Sequence, residues 1–157
     1  MRFRTLALTL VATTSLSAPA RALQFYVNPA TGDDRRSHML VQDQATPWRT
    51  ITHALKVAHL ITEGRPHVIE IASGTYSPST GETLPFAISQ TGIYLKSQGS
   101  VILDAQRQSR IFDIRVATSD FVLRNFSMVN GLADLGGAIY CETCSLKVVD
   151  SRLLSNE

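Results

Sequence analysis

Residues 121–130 (FVLRNFSMVN) return in outline as residues 146–155 (LKVVDSRLLS), an offset of 25. Phe121 answers to Leu146, Leu123 to Val148, Asn125 to Asp150, and Met128 to Leu153. The match is one of pattern, not identity. Weakly alternating strands recurring at this period read as successive coils of a solenoid, each stacked on the one before. One coil cannot bury its own inward residues. Phe121, Leu123, Phe126 and Met128 find cover only on neighbouring coils, and the ends of such a stack need covers of their own.

The rest of the chain fits that reading. Residues 23–27 (LQFYV) form a short apolar, aromatic strand pattern. Turn chemistry follows at residues 28–34 (NPATGDD), and a polar loop runs on to Thr46-Pro47. Residues 50–61 carry the one helical stripe: Ile51, Ala54, Leu55 and Ala58, extended by Ile61. Thr50 is its expected N-cap, and Gly64 with Pro66 its stop. After Pro66 the helical period vanishes. Short strands are expected at residues 67–72, 84–88, 93–95, 101–103 and 111–114, with Ser73-Gly74-Thr75-Tyr76 as a turn. Residues 131–145 read as the loop between the two repeat copies. Asn130-Gly131 is the one hairpin dipeptide, and it opens a long connection instead of a returning strand, which argues against a sandwich.

The N-terminus reads as an export signal over residues 1–22. Arg2 and Arg4 precede an apolar run at residues 6–16 that is too short to span a bilayer, and Ala20-Arg21-Ala22 fits the small-x-small cleavage rule. No second long apolar run follows, so no membrane span is expected. Removing Arg2, Arg4 and Arg21 takes the formal charge from +2 to −1, and no basic stripe remains. Nucleic acid is therefore excluded as a partner class.

Several segments carry a resemblance. They are residues 25–28 (FYVN), Gly32-Asp33-Asp34, residues 46–51 (TPWRTI) with Ala54-Leu55, residues 69–76 (IEIASGTY), residues 81–86 (GETLPF) and residues 102–105 (ILDA). In order and spacing they resemble the N-terminal module of secreted bacterial right-handed β-helix proteins of the pectin-lyase-like superfamily, in particular a large family there of unassigned function. The resemblance implies that the helix caps the N-terminal end of the stack. Gly136-Gly137-Ala138-Ile139, followed by Asn156, is similar to the repeats of polymorphic outer-membrane proteins, although the Phe usual in their second motif is absent.

Chemistry is sparse. Cys141-Glu142-Thr143-Cys144 sits between strands, away from a helix N-terminus, with no second Cys pair. It suits a local disulfide or stacked thiols, with redox or metal roles as the alternatives. Asn28, Asp33 and Asp34, with Asp43 nearby, offer oxygen ligands for Ca²⁺, yet their spacing does not fit an EF-hand loop and the same residues build turns. Asp104, Asp113, Asp120, Asp134 and Asp150 are the acids from which a glycosidase pair would have to come, and no local pairing marks any two of them. Arg110, Arg115, Arg124 and Arg152 occupy outward positions.

The expected fold is all-β: a right-handed parallel β-helix over residues 23–157 with a capping helix at residues 50–61 and a C-terminal end that reads as truncated. The expected function is an exported structural or glycan-binding module, secreted, periplasmic or at the cell surface. No catalytic residue and no cofactor is assigned, calcium being the one metal considered. The alternatives are a fragment of a polysaccharide lyase or glycoside hydrolase whose catalytic coils lie elsewhere, and the passenger portion of an adhesin. Further coils, or a second copy, are the expected partners of the open end.

Overall fold

The computed structural model describes residues 22–115 and 120–157. The proposed signal segment, apart from Ala22, lies outside the described residues. The elements in order are β1 (Gln24–Val27), a 3₁₀ turn (Leu40–Gln42), α1 (Ile51–Leu60), β2 (His67–Tyr76), a second 3₁₀ turn (Pro78–Thr80), β3 (Phe86–Ile88), β4 (Ile93–Asp104), β5 (Phe112–Ile114), β6 (Asp120–Val129), β7 (Ile139–Cys141), β8 (Ser145–Val149) and β9 (Arg152–Leu154).

All pairing between named strands is parallel. A long sheet runs β1-β2-β4-β6-β8, with β9 continuing the last rung on β6, and a short sheet runs β3-β5-β7. This is a parallel β-helix. The registers Ile69↔Leu95, Leu95↔Leu123 and Leu123↔Val148 set coil lengths of 26, 28 and 25 residues. The repeat seen in the sequence is thus the fourth rung of the long sheet paired with the fifth. Its alignment holds residue by residue: Phe121↔Leu146, Leu123↔Val148 and Met128↔Leu153.

Stacking of like positions builds the core. Phe25, Ile69, Leu95 and Leu123 form one inward column, each at most 2 % exposed. On the short sheet Phe86 and Phe112 meet at 5.4 Å between ring centroids. Each such side chain contributes roughly 1.5–3 kcal/mol on burial, but only because a neighbouring coil covers it.

The first end is closed as expected. The stripe Ile51, Ala54, Leu55 and Ala58 is buried, and α1 packs against β1, β2 and β3. Trp48 completes the lid: fully buried, it bridges to Val27, rests 5.3 Å from Phe25, and donates its indole N–H to the Arg36 carbonyl at 2.8 Å. The helix stops at Leu60, before Gly64, with Ile61 as its extended C-cap.

Three expectations fail. Residues 93–95 and 101–103, expected as two strands, belong to the single strand β4, which pairs with β2 and β6. Residues 73–76 continue β2 instead of turning, because parallel partners in β4 (Gly74↔Val101, Thr75↔Ile102, Tyr76↔Leu103) satisfy their backbone. Residues 131–145 are not a plain loop, since Ile139–Cys141 forms β7 on β5. Three residues are too few to show a period of two, so sequence patterning could not reveal this strand.

Candidate functional site

The long-sheet strands bend at their middle. The bend falls at Gly74, Gly99, Asn125 and Asp150, all with positive φ (154°, 101°, 64° and 50°). Glycine adopts such angles freely, and Asn and Asp tolerate them better than other side chains do. The pairing registers slip here, between Ala72 and Gly74 and between Lys96 and Val101, so the bend is a column of bulges running along the axis.

Polar side chains stitch that column together. Ser73 Oγ donates to the Gln98 carbonyl at 3.1 Å, and the Asn125 amide donates to the Gly99 carbonyl at 3.0 Å. Ser151 Oγ accepts from the Phe126 N–H at 3.1 Å and donates to the Val149 carbonyl at 2.8 Å. A Cβ at Gly99 would strike Ser73 Oγ, so a side chain there would displace the hydroxyl that holds the Gln98 carbonyl.

Beside the lower bends lies a groove of about 380 Å³, lined by Gly99, Ser100, Val101, Asn125, Phe126, Ser127, Asp150 and Arg152. Arg124 flanks it, 3.8 Å from Asp150, with both side chains largely exposed. The outer face continues upward through Lys96, which pairs with the buried Glu70 at 2.9 Å, and Gln98, which also donates to Glu70. The groove therefore offers guanidinium and hydroxyl donors beside one carboxylate. Such a set can hydrogen-bond a polyhydroxylated chain.

The other sequence candidates are placed as follows. Asn28 accepts from the N–H groups of Ala30 and Thr31, and Asp43 from that of Ala45. The Arg35 guanidinium beside Asp33 holds its carboxyl down at about 2. Asp34 accepts from the N–H groups of Arg49 and Thr50 and from the Thr50 hydroxyl. Each expected calcium ligand is thus engaged in a turn or a cap, and among the described residues no three His, Cys, Asp or Glu side chains gather as a metal site. Asp104 accepts from Gln106 N–H and the Asn130 amide, while Asp113 pairs with Arg115 at 2.7 Å and lies 4.0 Å from Arg110. Hydrogen bonding to Arg115 holds the Asp113 carboxyl below its usual range. Asp134 is exposed, and the side chain of Asp120 lies outside the described residues. Only Asp150 joins the groove. Cys141 and Cys144 are bonded, with Cα atoms 5.7 Å apart.

Residues 31–121 match the family described as "Protein of unknown function (DUF1565)". The chain belongs to that family. No curated protein and no solved structure matches the chain. The DUF1565 region begins in the loop after β1, takes in the capping helix and the first two coils, and stops at the first inward residue of β6. It supplies Gly99, Ser100 and Val101 to the groove, whereas Asn125, Asp150 and Arg152 lie beyond it.

Sequence reasoning placed Arg124 and Arg152 outward but not at a site. A signal was present: Gly74, Gly99, Asn125 and Asp150 recur at 25 or 26 residues, and only the last two stand inside the legible repeat.

Proposed function

We propose that the protein is an exported β-helix module that binds polysaccharide in the groove at the bend of the long sheet. The observation that carries this reading is the groove lining itself, in which Ser100, Ser127 and Arg152 offer donors beside Asp150, the one carboxylate of the lining. Its donors sit on stacked rungs, a spacing suited to an extended repeating ligand more than to a compact one. Export is supported by the charged, apolar and small-residue pattern of residues 1–22. Binding is preferred over hydrolysis because two facing carboxylates are the usual requirement, and Asp150 is the one carboxylate lining this groove.

The test is calorimetric titration with a neutral and a uronate polymer, for example galactan and polygalacturonate. Saturable binding to at least one is expected. Arg152→Ala and Asp150→Ala should each weaken it about tenfold, near 1.4 kcal/mol, with unchanged circular dichroism. No binding to either polymer, or variants that bind like the parent, would overturn the reading. Release of unsaturated uronate by the purified protein would replace it with a lyase.

A further inference from the structure

Two corners joining the short sheet to the long sheet lie wholly among the described residues, and they are built differently. Ile93 follows Ile88 by five positions and Leu146 follows Cys141 by five, and the two pairs stand at equivalent positions on their rungs. Both corners need one residue with positive φ. In the first it is Gly92 at 74°; in the last it is Thr143 at 51°. Glycine accepts that angle without cost, whereas a β-branched residue is strained there. The last corner is also the one crossed by the Cys141–Cys144 bond. A covalent link thus holds a turn that its own sequence disfavours.

The two sulfurs differ in setting. Cys141 is exposed at the end of β7, while Cys144 is half-buried and packs against the core. Two contacts hold the Cys141 side independently of the bond: Glu142 N–H donates to the Ile114 carbonyl at 3.0 Å, and Arg115 lies 3.3 Å from the Glu142 carboxylate. The rung on the Cys144 side has one strand neighbour among the described residues, β6, and exposes Val148, Leu153 and Leu154.

We propose that the Cys141–Cys144 bond is a thiol-exchange site whose opening loosens the outermost rung of the long sheet. The thiolate of a low-molecular-weight thiol attacks Sγ of Cys141 and forms a mixed disulfide with it. The Cys141–Cys144 bond breaks, and its electron pair leaves on Cys144 as a thiolate that takes a proton from water. A second thiolate then attacks the adduct, departs with the first sulfur as the oxidised disulfide, and leaves both cysteines reduced. Exposure favours attack at Cys141, because exchange depends on access to the sulfur. Once the bond is open, Thr143 can leave its strained angle. β7 stays docked on β5 through Glu142, and β8 loses its covalent anchor.

The experiment treats the purified, folded protein with reduced glutathione, traps free thiols by alkylation, and maps adducts by mass spectrometry. Hydrogen exchange is measured on the same samples. The adduct should fall on Cys141 over Cys144 by about tenfold, as expected for an access-controlled exchange. Cys144→Ser, treated with oxidised glutathione, should accumulate a stable adduct on Cys141. Amide exchange should rise across residues 145–154 on reduction and stay unchanged in β2. Thr143→Gly, which removes the strain, should show a smaller rise. No adduct under conditions that label the urea-unfolded chain would overturn the site. An adduct on Cys144, or unchanged exchange across residues 145–154, would overturn the mechanism.

Discussion

Asp34 and Glu82 share the N-terminus of α1 between them. Asp34 binds the backbone N–H and hydroxyl of Thr50, and Thr50 Oγ1 accepts from the His53 N–H at 3.1 Å. Glu82, only 5 % exposed, accepts from the N–H groups of Ile51 and Thr52 at 2.8 Å and from the Thr52 hydroxyl at 2.5 Å. Burial pushes the Glu82 carboxyl up, against the pull of those hydrogen bonds. Glu82→Ala leaves these donors unmet and should cost about 2–3 kcal/mol, read from urea unfolding. Thr50 as N-cap was legible from its place before the apolar stripe. The carboxylate of Glu82 was not, because a cap arriving from 30 residues downstream leaves no local pattern. His59 supplies a pH test. Burial holds its imidazole below the ordinary 6.5, with Arg65 adding to the effect. Between the folded and unfolded values the unfolded chain binds the extra proton, so stability rises with pH. This contribution is complete above 6.5 and is lost as pH falls toward the folded value. His59→Gln should therefore flatten the fall of the urea midpoint below about pH 6.5.

Among the elements, those with a long period were legible and those defined by neighbours were not. α1 shows in its stripe, and β6 with β8 and β9 in their offset. β7 is three residues long and exists because β5 pairs with it. The second half of β2 contains Ser-Gly-Thr, which alone reads as a turn and becomes a strand only when β4 lies beside it. The single Gly-Gly pair has a comparable explanation. A side chain at Gly137 would strike the backbone of Glu157, and Asn156 reaches back to accept from Gly131 N–H at 2.8 Å and donate to the Met128 carbonyl at 3.0 Å. The bend column gives the test at this scale. Asn125 has φ of 64°, and its amide spans to the coil before. Asn125→Gly keeps the angle and loses the hydrogen bonds to the Gly99 carbonyl and, longer at 3.4 Å, to the Ser97 hydroxyl, so a loss of about 1 kcal/mol is expected. Asn125→Val adds β-branched strain at that angle and should lose about 2–3 kcal/mol, measured by the same urea series.

At the scale of the whole molecule the two ends of the stack differ. One is covered by α1 and Trp48, which bury Phe25 and Val27, the inward residues of the first rung. At the other, among the described residues, no strand pairs with the outer edge of β8 and β9, and Val148, Leu153 and Leu154 are 39 %, 49 % and 52 % exposed. The counterparts of Val148 and Leu153 one coil earlier, Leu123 and Met128, are fully buried. The difference comes from cover, since the side chains are alike in kind. Unpaired backbone beside an apolar layer is the arrangement that recruits another strand. Residues 23–157 purified on their own should therefore self-associate with rising concentration, as read by light scattering coupled to gel filtration. Leu153→Lys places a charge on that layer while leaving the β6 pairing intact, and should shift the distribution toward monomer with little change in unfolding midpoint. A parent that stays monomeric across the accessible concentration range would show that this edge and its apolar layer do not recruit another strand.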